Sequence, residues 1–498
     1  MGEVQGTLLE PDFNRSVKVH SSPQRITSHA GAVLLREVDH RLGLVESLGS
    51  QITDPRRADR IRYTATELLR ERIYALALGD ENQDDLDRLA HDPAMRMSVW
   101  DRAGKEVLAE RLASQPTQSR LVDWLANFPE NRAALRSSLF DWVHRHLRST
   151  SDHAVMRATI DVDSFPVAVH GGQQGSSYNG YYRDTVYHPL VASFSVEGDY
   201  DSGRAGCRLG NGFLDALLRE GQVHTAADAN TFIERVIKQA RQLAQSFDLR
   251  LDAGFTSGEV LDALADQNVR FCGRLRKNAV LDALADPYLK RPPGRPPREG
   301  YQFIVELGMY RAEGWKHAQR LVLVVIDEPD PRTGQLNLLP RYFFLVTNWS
   351  ITQRSGEEVL VHYRRRGTFE DRLGEFQAVI GPHLSSPTFA ENEVNLLLAL
   401  LAYNLASLLR IELEDELGGC WDLHRFQQTV LRAGGRVVKH SRRLLLYVEQ
   451  CVEHFWQLIV RRIGRLRLPS RWPQPRRPRH RTWIPPPAHA HLAVVLRT

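Results

Sequence analysis

The stretch Ala158-Thr-Ile-Asp-Val-Asp163 is short, rich in β-branched residues and alternating in polarity, which is typical of a β-strand. It follows a long region of helical periodicity and marks the point where the pattern changes. Helical periodicity returns over 231–246, and the short strand pattern Leu249-Arg-Leu-Asp252 and a helical pattern over 257–267 come after it. This alternation of strand and helix predicts a core of the α/β class.

Outward from this core, local composition and periodicity predict that the chain divides into five segments. Amphipathic helical patterns such as 32–48 and 63–78 indicate a helical N-terminal region. Three apolar strand patterns, 301–307, 320–326 and 341–347, indicate a β-rich insertion. The chain is helical again from about 357 to 463, and the last segment is rich in arginine and proline without an acidic residue, so we expect a basic, poorly ordered tail. The predicted segments are 1–150, 151–289, 290–350, 351–460 and 461–498.

Composition is that of a soluble, multi-domain protein, with 42% hydrophobic and 25% charged residues in 498. A formal net charge of +5 permits an acidic partner without requiring one. The four cysteines, which have no zinc-site spacing, are expected to be reduced and structural. The apolar run 396–409 is shorter than the roughly 20 residues of a membrane span, so we expect a buried core helix, no membrane partner and a cytoplasmic location.

Acidic residues at strand ends are the first candidates for chemistry. Magnesium binds hard oxygen ligands, and phosphoryl-transfer sites bring a few carboxylates together from different elements. Asp163 and Asp252 each end a predicted strand, and Ala-Gly-Phe follows Asp252 as a turn. Asp161 is an alternative to Asp163, because period-two alternation places both on the same face; Asp163 is preferred because it is nearer the strand end. An aspartate at a strand end is also a common turn or capping residue.

The segment 362–377 predicts a helix with a functional face. At 100° per residue, Tyr363, Arg366, Glu370 and Gln377 share one narrow face. A phenol and a guanidinium there can hold a phosphate beside a metal-binding carboxylate. The alternative is a solvated helix face, since Arg and Glu three to four residues apart also form ordinary surface pairs.

These residues resemble a known family. Tyr363, Arg366 and Glu370 match the Tyr-x2-Arg-x3-Glu-x6-Lys signature of a branch of bacterial insertion-sequence transposases of the DDE type. Further segments look like motifs of one family in that branch, in the same order along the chain, over roughly residues 25 to 460. They are 78–93, Ser114-Gln-Pro-Thr117, His170-Gly-Gly-Gln173, Tyr178-Asn-Gly-Tyr-Tyr182, Tyr187-His-Pro-Leu190 and Arg250-Leu-Asp-Ala-Gly-Phe255.

The resemblance implies a ribonuclease H-like catalytic core with a β-rich insertion between the second Asp and the Glu. It implies metal-dependent strand cleavage and strand transfer at inverted-repeat ends, with Mg²⁺ as cofactor and Mn²⁺ as a substitute. Asp163, Asp252 and Glu370 would hold the ions, and Tyr363 and Arg366 the DNA backbone. The implied partners are double-stranded DNA, at the element's ends and at the target, and a second copy of the chain in the DNA complex. The implied location is the bacterial nucleoid, and the helical N-terminal region is a candidate for binding DNA ends.

The sequence departs from the signature at one position. Gln377 stands where the family has Lys, so a hydrogen-bonding group remains but the positive charge is lost. Nearby Arg372 is a candidate to compensate. This departure favours, as an alternative function, a DNA-binding protein derived from a transposase with impaired catalysis. A third hypothesis, a ribonuclease H-like nuclease unconnected with mobile DNA, is disfavoured by the N-terminal motifs.

Other candidate DNA contacts are weaker. Arg295 lies in the basic, proline-rich loop 290–298, which loosely resembles arms that enter the minor groove or is simply an exposed loop. Trp349 could stack on an unpaired base, although core packing is the alternative for an aromatic residue after a strand. The arginine-rich tail could neutralise phosphates without sequence preference. The glycine-rich stretch 171–175 lacks the Lys-Ser/Thr of a phosphate-binding loop, so no nucleotide cofactor is expected.

Overall fold

The structure is a computed structural model. It describes residues 7–467, apart from 10, 15, 22–23, 102–103, 152–154, 197–211, 225–226, 292–299, 330–339, 414–420 and 442, together with 493–496. The candidate Arg295, two of the cysteines (Cys207 and Cys420) and most of the predicted basic tail lie outside the described residues. Cys272 and Cys451 are free thiols, as predicted.

The described chain contains strands of two to ten residues. They are β1 (Thr7–Leu9), β2 (Val19–His20), β3 (Arg25–Thr27), β4 (Val155–Ser164), β5 (Val167–Ala168), β6 (Ser177–Asn179), β7 (Asp184–Tyr187), β8 (Leu190–Val196), β9 (Gly212–Leu217), β10 (Ala244–Leu251), β11 (Arg270–Leu275), β12 (Tyr301–Tyr310), β13 (Gln319–Asp327), β14 (Arg341–Thr347), β15 (Gly435–His440), β16 (Arg443–Val448) and β17 (Ala493–Leu496).

The α-helices fall mainly before β4 and after β14. They are α1 (Ala32–Leu42), α2 (Leu44–Gly49), α3 (Ala65–Leu78), α4 (Asp85–Leu89), α5 (Pro93–Val99), α6 (Gln115–Asn127), α7 (Pro129–Thr150), α8 (Ala229–Leu243), α9 (Gly258–Asp266), α10 (Ala279–Ala285), α11 (Gly356–Arg364), α12 (Gly367–Val379), α13 (Phe389–Ile411), α14 (Leu423–Phe426) and α15 (Glu453–Ile463).

An eight-stranded mixed sheet positions the site. Its order is β12-β13-β14-β11-β10-β4-β8-β9. Strands β4, β10 and β11 are parallel, whereas β8 is antiparallel to β4 and β9 to β8. Helix α9 connects β10 to its parallel neighbour β11, which requires a crossover, and α8 connects the outermost strand β9 to β10 on the far side of β8 and β4. The carboxyl ends of β4 and β10 therefore meet at one edge of the sheet.

The three strands predicted within 290–350 are confirmed, and they extend this same sheet. Strand β14 pairs antiparallel with β11, β13 with β14, and β12 with β13. Strand β13 is buried along most of its length. Strands β12 and β14 flank it, and packed layers cover both of its faces. The β-rich segment is thus continuous with the α/β core.

The helical N-terminal region packs around α13. Helices α3, α6 and α7 contact α13, and their buried side chains form one hydrophobic cluster with it. Thr388 caps the start of α13 in a capping box with Glu391. Among the described residues, α13 is the one helix long and apolar enough to cross a membrane, and that segment is buried inside the protein. The prediction of a buried core helix at 396–409 is confirmed.

The prediction that 351–460 is helical throughout is wrong for one stretch. Residues 435–448 form the hairpin β15–β16, in which Ser441 takes a positive φ of 51° at the turn. Strand β3 pairs with β15, so the N-terminal segment is also not purely helical. The predicted tail is structured at both of its described ends, since α15 extends to Ile463 and β17 pairs with β16. Strands β3 and β17 pair with this hairpin from far away in the chain, and local periodicity does not reveal such partners.

Candidate active site

Two carboxylates lie side by side at the carboxyl ends of β4 and β10. Leu251 is opposite Val162 in the parallel register, so the next residues, Asp252 and Asp163, are neighbours at the sheet edge. Asp163 accepts a hydrogen bond from the backbone N–H of Ser164 at 2.8 Å. Burial raises the pKa of Asp163 to about 6; the nearby guanidinium of Arg366 opposes this rise, and the charge of Asp252 adds to it.

The rival aspartate, Asp161, has another role in the structure. It is fully buried and accepts two hydrogen bonds from Arg250 on the neighbouring strand, at 2.8 and 2.6 Å. Arg250 also donates to the backbone carbonyl of His362, at 3.2 Å. Asp161 therefore forms a buried, bidentate ion pair that ties β4 to β10 and to α11, and the structure brings Asp163 to the sheet edge instead.

Arg366 is the centre of the site. It is 5% exposed, and its guanidinium bonds Asp163 at 2.5 Å and Glu370 through the other terminal nitrogen. Burial by itself lowers the pKa of Arg366, but the carboxylates of Asp163 and Asp252 raise it above its usual value. The guanidinium stays charged and links the sheet edge to the helix that carries Glu370.

The predicted single helix over 362–377 is wrong in one respect, because it is interrupted at Arg365–Arg366. Helix α11 ends at Arg364 and α12 begins at Gly367, a residue of low helix propensity. Arg366 keeps a helical φ and ψ and its carbonyl still accepts from the backbone N–H of Glu370 at 3.1 Å. The interruption is therefore a tight turn that leaves Arg366 and Glu370 together.

Tyr363 lies on the last turn of α11, half-buried beside the same charges. Burial raises the pKa of Tyr363, and the charge of Asp252 raises it further while Arg366 lowers it. The phenol is therefore protonated at neutral pH and can donate a hydrogen bond to an anionic oxygen.

Gln377 and Arg372 take separate positions on α12. Gln377 is exposed and its side-chain amide donates to the carbonyl of Pro166 at 3.2 Å, in the segment that follows β4. Arg372 contacts the hydroxyl of Ser195 at 3.5 Å, and Ser195 is paired with Thr159, four residues before Asp163 on β4. The expectation that Arg372 compensates for the missing lysine is not supported by this position.

Trp349 is 5% exposed, and this burial supports core packing rather than stacking on an unpaired base. Its ring meets His362 edge-on at 5.2 Å, and the guanidinium of Arg354 lies 4.1 Å from the ring centre. His362 in turn pairs with Asp248 at 2.6 Å. Trp349 thus belongs to a packed layer beneath the sheet edge.

The chemistry of the donors fits a divalent cation. Asp163, Asp252 and Glu370 offer hard oxygen ligands from three elements that meet at one edge. Within the described ranges, no group of three metal-ligating side chains is close enough to hold an ion as it stands. Arg366 lies between Asp163 and Glu370, so its guanidinium has to move for all three carboxylates to share ions.

One neighbour of the carboxylates was not predicted as a site residue. Burial raises the pKa of Tyr182, and the charges of Asp163 and Asp252 raise it further, which places this phenol close to both. Its hydroxyl lies 3.4 Å from Nε2 of His188. The only sequence signal was the segment Tyr178-Asn-Gly-Tyr-Tyr182, which carried the resemblance but suggested no role.

A family assignment comes from one of the comparisons with known proteins. The sequence profile described as "Transposase DDE domain group 1" matches residues 9–468, which is nearly the whole chain. No curated protein matches this chain. Among solved structures, the chain is similar to a piggyBac transposase synaptic complex with hairpin DNA, with 13% identity, a TM-score of 0.41, and coverage of 80% of this chain and 79% of that chain. The profile match shows that the chain belongs to the family of transposase DDE domains, group 1.

Proposed function

We propose that this chain is an active DNA transposase that cleaves and joins strands at the inverted-repeat ends of a bacterial mobile element. The observation that carries the proposal is the meeting of Asp163, Asp252 and Glu370 around Arg366 at one sheet edge, in a chain of the DDE family. The strand sequence β4, β8, β9, β10, β11, with β8 antiparallel and crossover helices α8 and α9, supports a ribonuclease H-like core. The segment β12–β14 is then the insertion between the second Asp and the Glu.

In this proposal Asp163, Asp252 and Glu370 would hold Mg²⁺, or Mn²⁺ in its place. Two such ions supply activation of the attacking oxygen and stabilisation of the leaving oxygen during displacement at phosphorus. The adjacent strand ends fix Asp163 and Asp252, whereas Glu370 is 58% exposed on α12 and could turn towards them on leaving its pair with Arg366. The three carboxylates thus combine two rigid ligands with one adaptable ligand.

Arg366 and Tyr363 would position the DNA backbone. The guanidinium of Arg366, which pairs with Asp163 and Glu370 in this structure, would be available to a phosphodiester once these carboxylates served as metal ligands, and its planar fork suits bidentate contact with two phosphate oxygens. The protonated phenol of Tyr363 donates to a second phosphate oxygen. Both residues orient the scissile phosphodiester at the sheet edge.

The partners proposed are double-stranded DNA ends, target DNA and a second copy of the chain, because two ends have to be held together for joining. The bacterial nucleoid in the cytoplasm is the corresponding location. Mass measurement of the protein–DNA complex tests the dimer: two chains with two DNA ends are expected, and a single chain holding one end under cleaving conditions contradicts it.

A transposase-derived DNA-binding protein with impaired catalysis is the second candidate. The observation that favours it is Gln377, which lacks the charge of the family lysine and donates instead to the carbonyl of Pro166. The two functions differ in strand cleavage, since both bind DNA.

The test uses purified protein, duplex DNA carrying the inverted repeats that flank the gene, and Mg²⁺ or Mn²⁺. Cleavage at the repeat end is expected from the wild type, and Asp252→Ala and Glu370→Ala are expected to abolish it. Asp371→Ala is the matched control, because Asp371 is an exposed carboxylate one residue from Glu370 on the same helix. Wild-type rates in the first two variants contradict the site, and binding without cleavage by the wild type favours the second candidate.

A further inference from the structure

A short hairpin of β6 and β7 lies at the same sheet edge as the carboxylates. It leads directly into β8, where Val191 pairs with Asp163. Strand β5, which follows β4 after two residues, pairs with β7 and completes a three-stranded sheet. The backbone N–H of Phe165 donates to the carbonyl of Pro189, at 3.3 Å, between the two sheets. The small sheet is therefore anchored to the end of the strand that carries Asp163.

The tip of this hairpin is a fixed turn. The side-chain oxygen of Asn179 accepts from the backbone N–H of Tyr181 at 3.0 Å, and its backbone carbonyl accepts from that of Arg183 at 2.8 Å. The amide of Asn179 also donates to the carbonyl of Gly221 at 2.7 Å. Arg183 has a φ of 57°, a left-handed conformation that is strained for an arginine and is often found at functional sites.

The turn presents an aromatic ring to solvent. Tyr181 is 87% exposed, and its ring stands edge-on to that of Tyr182 with centres 5.0 Å apart. Tyr182 is held in turn by His188, with ring centres 5.6 Å apart. The ring of Tyr181 is thus supported from one side, while Arg183 beside it is also exposed. An ordered aromatic ring beside a cation is the combination with which proteins bind unpaired nucleobases and their phosphates.

We propose that Tyr181 stacks on an unpaired nucleobase next to the scissile phosphodiester, and that Arg183 contacts the adjoining backbone. This role rests on the proposed function, since the DNA has to lie at the edge formed by Asp163 and Asp252. Trp349, the stacking candidate that the sequence offered beside core packing, is buried, whereas Tyr181 is open to solvent and packs against Tyr182, the neighbour of Asp163 and Asp252. Stacking does not select one base, because every base has an aromatic face.

The experiment measures DNA binding by the full chain in EDTA, where no cleavage occurs. Two fluorescent duplexes carry the flanking inverted repeat, one fully paired and one with three mismatched pairs at the repeat end. Tyr181→Ala is expected to bind the mismatched DNA about 5- to 140-fold more weakly than the wild type, the range for loss of one base–aromatic stack. Tyr181→Phe, which keeps the ring, is expected to bind it as the wild type does. Binding of the fully paired duplex should change little in either variant.

The matched control is Phe13→Ala, which removes an aromatic ring with the same exposed fraction of 87% from the segment between β1 and β2. It is expected to leave both affinities unchanged. Equal affinity of wild type and Tyr181→Ala for the mismatched DNA overturns the stacking role and leaves the proposed function intact. If the wild type binds neither duplex, the proposed function fails and the stacking role fails with it.

Discussion

Replacement of Asp161 by alanine tests whether this carboxylate is structural. Asp161 is 0% exposed and Arg250 is 4% exposed along the side chain, and two charge-assisted hydrogen bonds join them. Removal of the carboxylate leaves the buried guanidinium of Arg250 without its counter-ion. Breaking a buried ion pair in this way costs about 3–5 kcal/mol. We expect Asp161→Ala to lower the free energy of unfolding by that amount. Asp163→Ala should lower it far less, because Arg366 keeps its pair with Glu370 and the repulsion between Asp163 and Asp252 is relieved.

Chemical denaturation followed by circular dichroism measures this difference. The double variant Asp161→Ala/Arg250→Met removes both charges, so we expect it to recover part of the stability that Asp161→Ala loses. A structural role for Asp161 is refuted if Asp161→Ala unfolds at the same denaturant concentration as the wild type. It is also refuted if the double variant unfolds earlier than the single one. Loss of cleavage at full stability in Asp161→Ala would make Asp161 the metal ligand in place of Asp163.

Three further predictions concern other parts of the molecule. Burial raises the pKa of Glu71 from 4.5 to about 8, so its contribution to stability is complete below the unfolded pKa and is lost as pH rises through about 8. Melting temperatures of the wild type should therefore fall over this window, and those of Glu71→Gln should fall less; parallel curves contradict the burial effect. A Cβ on Gly221 would lie 2.0 Å from the carbonyl oxygen of Val186, so Gly221→Ala should displace the β6–β7 hairpin and lower the melting temperature, whereas Gly172→Ala, with nothing within 4 Å, should not. Gln377→Lys restores a phosphate-pairing charge at an exposed position, and the slope of log K against log salt for duplex DNA should steepen by about 0.9; an unchanged slope means that residue 377 does not reach the backbone.

Local patterns predicted the elements that carry the site. The alternation in 158–163 and 249–252 identified two strands, and parallel pairing of those strands then brings Asp163 and Asp252 together. Helical spacing placed Arg366 and Glu370 on one face, and their contact survives the interruption at Arg365–Arg366 because residues four apart remain neighbours across the turn.

Contacts between segments that are far apart in the chain could not be predicted from the sequence. Asp161 and Arg250 are 89 residues apart, and only the strand register shows that they form a pair. Strand β3 pairs with β15 more than 400 residues later, which no local period encodes. The exposure of Tyr181 depends on how the β6–β7 hairpin is anchored, so the sequence did not single out this residue. It offered Trp349 as a stacking candidate with core packing as the alternative, and burial supports the packing.

Substitution of Fe²⁺ for Mg²⁺ can show whether Asp163, Asp252 and Glu370 hold ions at one sheet edge. With ascorbate and peroxide, bound Fe²⁺ generates radicals that cut the backbone nearby, and mass spectrometry of the fragments locates the cuts. We predict cuts near residues 163, 252 and 370, suppressed by excess Mg²⁺ and lost in Asp252→Ala but not in Asp371→Ala. Cuts confined to other parts of the chain, or an unchanged pattern in Asp252→Ala, would contradict the assignment of the metal site.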